Sequence, residues 1–316
     1  MRYFVFIVLV AGLSACDSPT QPTPQPQALT VTCPANASAQ SVDGNATNVP
    51  FEQPRSSGGT APINLSCTPQ PGSAFPVGPS TVNCQAQDSR GQTATCSFMV
   101  NVQGPPRLTG ARFLAFGDSI TAGVVSPAPG LLIVSPPHSY PFLLQDRLSA
   151  RYRLQTMLVL NEGNPGELAS GEGRQRFRGV LLQNRPEIVL LMEGTNDLLF
   201  TNGANNAIDG LRNMIGEAKS QGIRLALATI PPQRMGGRRD AVARMIPGVN
   251  DRIRAMASAE GVPLVEIFNG MKDDNSLIGI DDLHPSPRGY EVMAGIFFDA
   301  IREAFEVRPS LGGRWR

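Results

Sequence analysis

The rhythm of apolar and polar positions changes along this chain, and each change marks a different kind of structure. After Met1 and Arg2, the apolar run from Tyr3 to Ala11 is far shorter than the roughly 20 residues a bilayer-spanning helix needs. Residues 1–15 therefore read as a signal peptide. Residues 17–28, DSPTQPTPQPQA, alternate Pro with small polar side chains and have nothing to bury, which predicts an extended spacer. Across residues 29–103, short β-branched stretches (LTVT, STVNCQA, CSFMVNV) are separated by Gly, Pro and Asn clusters. With no helical period among them, they predict a small all-β sandwich.

From residue 111 to 306 the pattern alternates. Short apolar runs at Arg112 to Phe116, Thr156 to Leu160, Glu187 to Met192, Ile223 to Ile230 and Leu264 to Ile267 predict strands. Between them, Ile208, Leu211, Ile215 and Ala218 recur at helical spacing and stop at Gly222; Val249, Ile253 and Met256 do the same and stop at Gly261. Met293, Phe297, Ile301 and Phe305 line one face of a last helix that opens with Ser286 as cap and Pro287 in its first turn. Alternating strands and helices predict an α/β domain, a parallel sheet covered on both faces, with function at the carboxyl ends of its strands. Residues 307–316 read as a tail.

Composition narrows the chemistry. Of 316 residues, 41% are apolar, enough for a sizeable core, which excludes a disordered chain. Lys and Arg total 27 against 26 Asp and Glu, so no basic excess is left to neutralise a nucleic-acid backbone. Neither of the two histidines, His138 and His284, lies near a Cys or in a His-x-x-x-His pair, and no metal or cofactor is expected. Cys33, Cys67, Cys84 and Cys96 all fall in the β segment, an even number that predicts two disulfides. Three pairings are open. Cys33 with Cys96 and Cys67 with Cys84 is favoured, because the second pair flanks what looks like one hairpin.

Cys16 is left over. It closes Leu13-Ser14-Ala15-Cys16, which resembles the bacterial lipoprotein processing box. The resemblance implies a diacylated Cys16, an exported protein, and a lipid anchor on the cell envelope, facing the periplasm or the surface.

Four fragments carry chemistry. The first strand runs into Gly117-Asp118-Ser119-Ile120-Thr121-Ala122-Gly123, which puts Ser119 where a strand ends and helix-start amides can stabilise negative charge. Asp281-Asp282-Leu283-His284-Pro285 places an acid three residues before a histidine. A serine hydroxyl needs such a base, and the base needs a carboxylate on its other ring nitrogen. Asp281 is preferred over Asp282 for that role. Asn161-Glu162-Gly163-Asn164-Pro165-Gly166-Glu167 can present a backbone N–H at Gly166, or alternatively at Gly163, and Gly194-Thr195-Asn196-Asp197 a side-chain amide. With the Ser119 N–H these would give three donors for a developing oxyanion.

In this order the four fragments resemble the SGNH hydrolases of the GDSL esterase/lipase group. The family implies a three-layer α/β/α flavodoxin-like fold. It assigns the nucleophile to Ser119, the base to His284, the orienting acid to Asp281 and the oxyanion donors to Ser119, Gly166 and Asn196. Ile120 departs from the eponymous Leu, and Leu168 stands where many members have Thr. Cys33-Pro34, residues 75–92 and Cys96-Ser97-Phe98 resemble the hyalin repeat (HYR) module, an immunoglobulin-like domain that serves as a spacer or contacts a glycan or protein.

His138 and Tyr140, in His138-Ser139-Tyr140-Pro141, resemble the family's site-lining segment and are candidate substrate contacts. The basic loop Gln233 to Arg239, QRMGGRR, closes over a polar or anionic substrate or is simply solvated. The combined expectation is a lipid-anchored serine esterase acting on acylated small molecules or polysaccharides. Short acyl chains are favoured, since no long apolar lid-like segment is evident near the motifs. The alternatives are a glycan- or protein-binding lipoprotein with a vestigial hydrolase domain, and an acyltransferase using the same site.

Overall fold

Alternation of period two in the strands and three to four in the helices is realised as two units. A computed structural model describes residues 27–200 and 202–307. The expected signal peptide, most of the spacer, Cys16 and the tail from residue 308 lie outside the described residues. One unit comprises residues 27–39 and 46–102, the other 40–45 and 103–307.

In the first unit a four-stranded sheet runs in the order Ala37–Gln40, Thr93–Gln103, Gly78–Gln87, Asn64–Thr68. Two short ribbons accompany it, Thr30–Thr32 with Arg55–Ser57 and Thr47–Asn48 with Ala74–Phe75. Every second residue of the two long strands is buried: Val82, Cys84 and Ala86 on one, Phe98, Val100 and Val102 on the other. The disulfides are Cys33–Cys96 and Cys67–Cys84. Cys67 lies directly opposite Cys84 in the antiparallel register, which is the hairpin arrangement its spacing suggested.

In the second unit β1 (Arg112–Gly117), β2 (Leu158–Gly163), β3 (Ile188–Met192), β4 (Arg224–Ala228) and β5 (Leu264–Val265) form a parallel sheet in the order β2-β1-β3-β4-β5. β2 reaches further than its apolar run, because it follows β1 in register to Gly163 opposite Gly117. β5 stops short of Ile267, which opens the helix Ile267–Met271 instead. An apolar run of four residues cannot by itself distinguish a strand from the first turn of a buried helix.

The long helices are α1 (Tyr140–Arg151), α2 (Arg174–Asn184), α3 (Gly203–Ser220), α4 (Asp240–Glu260) and α5 (Pro287–Phe305). Strand alternation sorts them into layers. Phe113, Ala115, Ile188 and Leu190 pack with Tyr140 and Leu144 of α1 and Met293 and Phe297 of α5. Leu114, Phe116, Val189 and Leu191 face the other way, onto Phe177 of α2, Leu211 of α3 and Ile253 of α4. Ser286 caps α5 by accepting from the Gly289 N–H, and Gly261 closes α4 in the left-handed conformation, as their positions in the sequence implied. The strand order reverses between β1 and β3. In open parallel sheets, that crevice at the carboxyl ends is where ligands bind.

Candidate active site

β1 turns sharply at Gly117. A Cβ there would fall 2.1 Å from Thr121 Oγ1 and 2.4 Å from the Met192 carbonyl, so only glycine lets the chain pass between β3 and the next turn. Ser119 then opens a one-turn helix, Ser119–Ala122, with Asp118 as its cap accepting the Ile120 N–H at 2.9 Å. The helix ends at Gly123, φ 88°. These constraints fix the buried Ser119 hydroxyl at the mouth of the crevice.

His284 meets it from the loop before α5. Its Nε2 lies 2.9 Å from Ser119 Oγ, and its Nδ1 lies 2.5 Å from Asp281 Oδ2. Asp281 Oδ1 also accepts the backbone N–H of His284, at 3.1 Å, so the three-residue spacing closes a turn that aims the carboxylate at its own histidine. Burial alone would raise the Asp281 carboxyl, but the hydrogen bonds and charge of His284 hold it below the usual carboxylate range. Asp282 points elsewhere. It adopts φ 67° and pairs with Arg234 at 2.8 Å.

Three proton donors converge nearby. Helix-start amides have no intrahelical acceptor, and the Ser119 N–H has no other partner among the described residues. Gly166, held at φ 86°, likewise keeps a free N–H, whereas the Gly163 N–H is occupied by Asn161 Oδ1 at 2.9 Å. The Asn196 amide gives one hydrogen to the Glu167 carbonyl at 2.8 Å and retains the other. Asp197 ties the two loops together by accepting the Ala169 and Ser170 N–H groups at 2.8 and 3.1 Å.

Behind the serine lies a group of buried acids that the sequence pattern did not reveal. Burial pushes Asp118 up to about 6 against the opposing effects of the Ile120 N–H and His284. Burial, the Asp118 charge and Glu167 push Glu193 well above the carboxylate range. Arg176 pairs with Glu167 and stacks 4.1 Å over the Phe116 ring.

Ser119, Gly166, Asn196 and His284 line one cavity of about 330 Å³, together with Val124, Leu132, Ile133, Val134, Pro165, Leu283 and Arg239. A second cavity of about 530 Å³ shares Leu132, Arg239 and His284 with the first and adds Asp281, Leu199, Val242 and Arg238. Neither His138 nor Tyr140 lines either cavity. The Tyr140 ring is wholly buried and stacks 4.3 Å from Phe297, because the inner face of α1 belongs to the core. His138 is exposed and held by Ser135 at 2.8 Å.

The sequence shows no long apolar lid-like segment near the motifs, but a short apolar hairpin does border the site. The hairpin of Val124–Ala128 and Leu131–Val134 puts Leu132, Ile133 and Val134 at the cavity, each about half exposed. Its signal was present as VVSPAPGLLIV, two apolar runs around a Pro-Gly turn.

Such a constellation can generate a nucleophilic alkoxide and hold an oxyanion, the requirements of acyl transfer. The family model described as GDSL-like lipase/acylhydrolase matches residues 115–292, and that of the HYR domain matches residues 25–102. No curated protein matches the chain. Among solved structures it is similar to a lipase/acylhydrolase from Enterococcus faecalis, with 25% identity, 63% of this chain and 98% of that one covered, and a TM-score of 0.52. It is also similar to an acetylxylan esterase from Geobacillus stearothermophilus (21% identity, 61% and 95% covered, TM-score 0.51). A third is LAE5, an alpha/beta hydrolase from the metagenome of Lake Arreo, Spain (22% identity, 62% and 96% covered, TM-score 0.52). The last two bear on the fold alone. With more than half of its length matched by the first family model, the chain belongs to the GDSL-like lipase/acylhydrolase family and is a carboxylic ester hydrolase.

Proposed function

We propose that Ser119, His284 and Asp281 hydrolyse carboxylic esters by double displacement, with Ser119, Gly166 and Asn196 as the oxyanion donors. The observation that carries this reading is the continuous chain of contacts from Ser119 Oγ through the His284 ring to Asp281, at 2.9 and 2.5 Å. With Nδ1 donating to Asp281, Nε2 accepts the Ser119 proton as Oγ bonds to the acyl carbon. The carbonyl electron pair moves onto oxygen, where the three donors receive it. Collapse of the intermediate breaks the bond to the alcohol oxygen, which takes the proton back from His284. Water repeats the sequence on the acyl-enzyme, releasing the acid and restoring Ser119.

The substrates are acylated small molecules or polysaccharides with carbohydrate O-acyl groups. Two disulfides in the N-terminal unit support an oxidising compartment outside the cytoplasm. The Leu13-Ser14-Ala15-Cys16 box supports lipid anchoring at Cys16. Ser119→Ala is expected to abolish p-nitrophenyl acetate hydrolysis, and a fluorophosphonate is expected to label wild-type Ser119. Wild-type turnover by the Ala variant would overturn the mechanism.

A further inference from the structure

The loop 233–239 carries three arginines, and they are not equivalent. Arg234 Nε lies 2.8 Å from Asp282 Oδ1, and its Nη2 donates to the Ile278 carbonyl at 2.9 Å. Arg238 gives its backbone N–H to Asp282 Oδ2 at 3.1 Å and its Nη2 to the Ile280 carbonyl at 3.2 Å. Both thereby fasten this loop to the one that bears Asp281 and His284. Arg239 does neither. Arg239 is a partly buried residue whose guanidinium has no hydrogen-bond or ion-pair partner among the described residues, and it lines both cavities.

A guanidinium stays charged at any working pH, and a substrate that fills these cavities would withdraw it from water, which is unfavourable without an acceptor. Asp281, which borders the larger cavity, does not serve as that acceptor. Its Oδ2 faces His284 Nδ1, and its Oδ1 receives the backbone N–H groups of Leu283 and His284. A substrate anion would complete Arg239, whose planar fork matches carboxylate and phosphate oxygens.

The two cavities indicate which end of the ester bears that anion. The smaller holds the three oxyanion donors against the apolar wall Val124, Leu132, Ile133 and Val134, which suits an acyl group. The larger holds His284 and Asp281 without Ser119, Gly166 or Asn196. His284, which returns its proton to the departing alcohol, lines this cavity as well as the smaller one, so an alcohol leaving the acyl site can extend into it. We propose that Arg239 is a specificity-determining residue that pairs with an anionic oxygen group, carboxylate or phosphate, on the leaving alcohol of the ester. This rests on the Ser119 hydrolase reading.

The test compares kcat/KM for 4-acetoxybenzoate and 4-acetoxyphenyl phosphate with that for the neutral methyl 4-acetoxybenzoate, in wild type, Arg239→Gln and Arg239→Lys. The anionic-to-neutral ratio is expected to fall about 10- to 100-fold in Arg239→Gln, the range of a charge-assisted pair. It is expected to stay higher in Arg239→Lys. In wild type, about 0.5 M salt should erode it. The charged ester with the larger loss identifies the anion. Comparing each enzyme's ratio cancels the different reactivities of the esters. A ratio identical in wild type and Arg239→Gln, with all three esters hydrolysed, would overturn the Arg239 assignment alone. Turnover of the esters by Ser119→Ala at the wild-type rate would instead overturn the hydrolase reading and this proposal with it.

Discussion

His284 Nε2 lies 2.9 Å from Ser119 Oγ across 165 positions of sequence, and what joins them is the anchoring of one loop. The Gly279 N–H donates to the His284 carbonyl at 2.7 Å, closing residues 279–284 into a compact turn. From outside, Arg234 grips the same turn through Asp282 and the Ile278 carbonyl. The adjacent acids thus divide the work. Asp281 orients the imidazole, and Asp282 holds the turn that presents it.

That division sets two opposite outcomes. Asp281→Asn is expected to lower kcat by about 10³- to 10⁴-fold, since an amide no longer fixes the tautomer of the imidazole. Its unfolding midpoint should change little. Asp282→Asn removes the charge that faces Arg234 and leaves one oxygen where two now serve Arg234 and the Arg238 N–H, so it is expected to lower the unfolding free energy by about 2 kcal/mol. Its effect on kcat should be far smaller. Denaturant melts beside p-nitrophenyl acetate kinetics check both, and the reverse pattern would exchange the two roles.

Asp118 gives a stability that depends on pH. Burial raises its carboxyl in the folded chain to about 6, against 3.8 as the ordinary value. Between these values the folded state holds a proton that the unfolded state has released, so this group's contribution weakens as pH rises from 4 to 6 and stays weak above. Asp118→Asn keeps an oxygen for the Ile120 N–H and does not titrate. Its stability relative to wild type is expected to rise over that window, by on the order of 3 kcal/mol at pH 7. Melts at pH 4, 5, 6 and 7 measure it. A difference that is constant or shrinks with pH would show that Asp118 does not titrate in this way.

The sequence favours short acyl chains, and the apolar hairpin at the cavity makes chain length testable. If the acyl group lies against Leu132 and Ile133, each added methylene is worth up to about 0.8 kcal/mol, or roughly fourfold in kcat/KM. We expect kcat/KM to climb from p-nitrophenyl acetate to butyrate to hexanoate, and Leu132→Ser with Ile133→Ser to flatten that climb. The hairpin root is held independently by the Tyr290 hydroxyl, which donates to the Val124 carbonyl at 2.7 Å, so the variant should keep its fold. An equally steep climb in the variant would place the chain elsewhere.

These residues also mark how far a sequence can be read. The α/β alternation was legible because each strand and helix carries its own periodicity. Ser119 and His284 were legible because their motifs are contiguous and follow or precede a regular element. Asp281 was separable from Asp282 by its three-residue reach to the ring. Gly166 was favoured over Gly163 only weakly, since the choice turns on where each N–H points, and that depends on Asn161. Tyr140 was misread because adjacency in a motif says nothing about which helix face enters the core. The exposure of Leu132 and Ile133, and the isolation of Arg239 from its two neighbours, follow from contacts with remote loops. No local pattern encodes them.

Gly163, which ends β2, and Gly166, in the loop after it, differ in what a side chain would meet. A Cβ on Gly163 would lie 2.1 Å from the Ala122 nitrogen and 2.6 Å from the Thr121 carbonyl carbon. Both are backbone atoms of the turn that carries Ser119, and no rotamer change relieves the contact. Gly163→Ala must therefore push β2 away from that turn, at about 1–3 kcal/mol of stability, and displace the hydroxyl from His284. A Cβ on Gly166 meets nothing within 4 Å, but φ 86° is unfavourable for any side chain, at about 1–2 kcal/mol. Relaxing that strain would rotate the free N–H out of the cavity. Both variants should lose turnover for different reasons. Fluorophosphonate labelling should slow in both, because that reagent is attacked by the hydroxyl itself and also needs the oxyanion donors. Adding hydroxylamine as an alternative acyl acceptor should rescue neither. If Gly163→Ala kept wild-type stability and Gly166→Ala kept wild-type kcat, β2 would not brace the serine turn, and the oxyanion would be held by Ser119 and Asn196 alone.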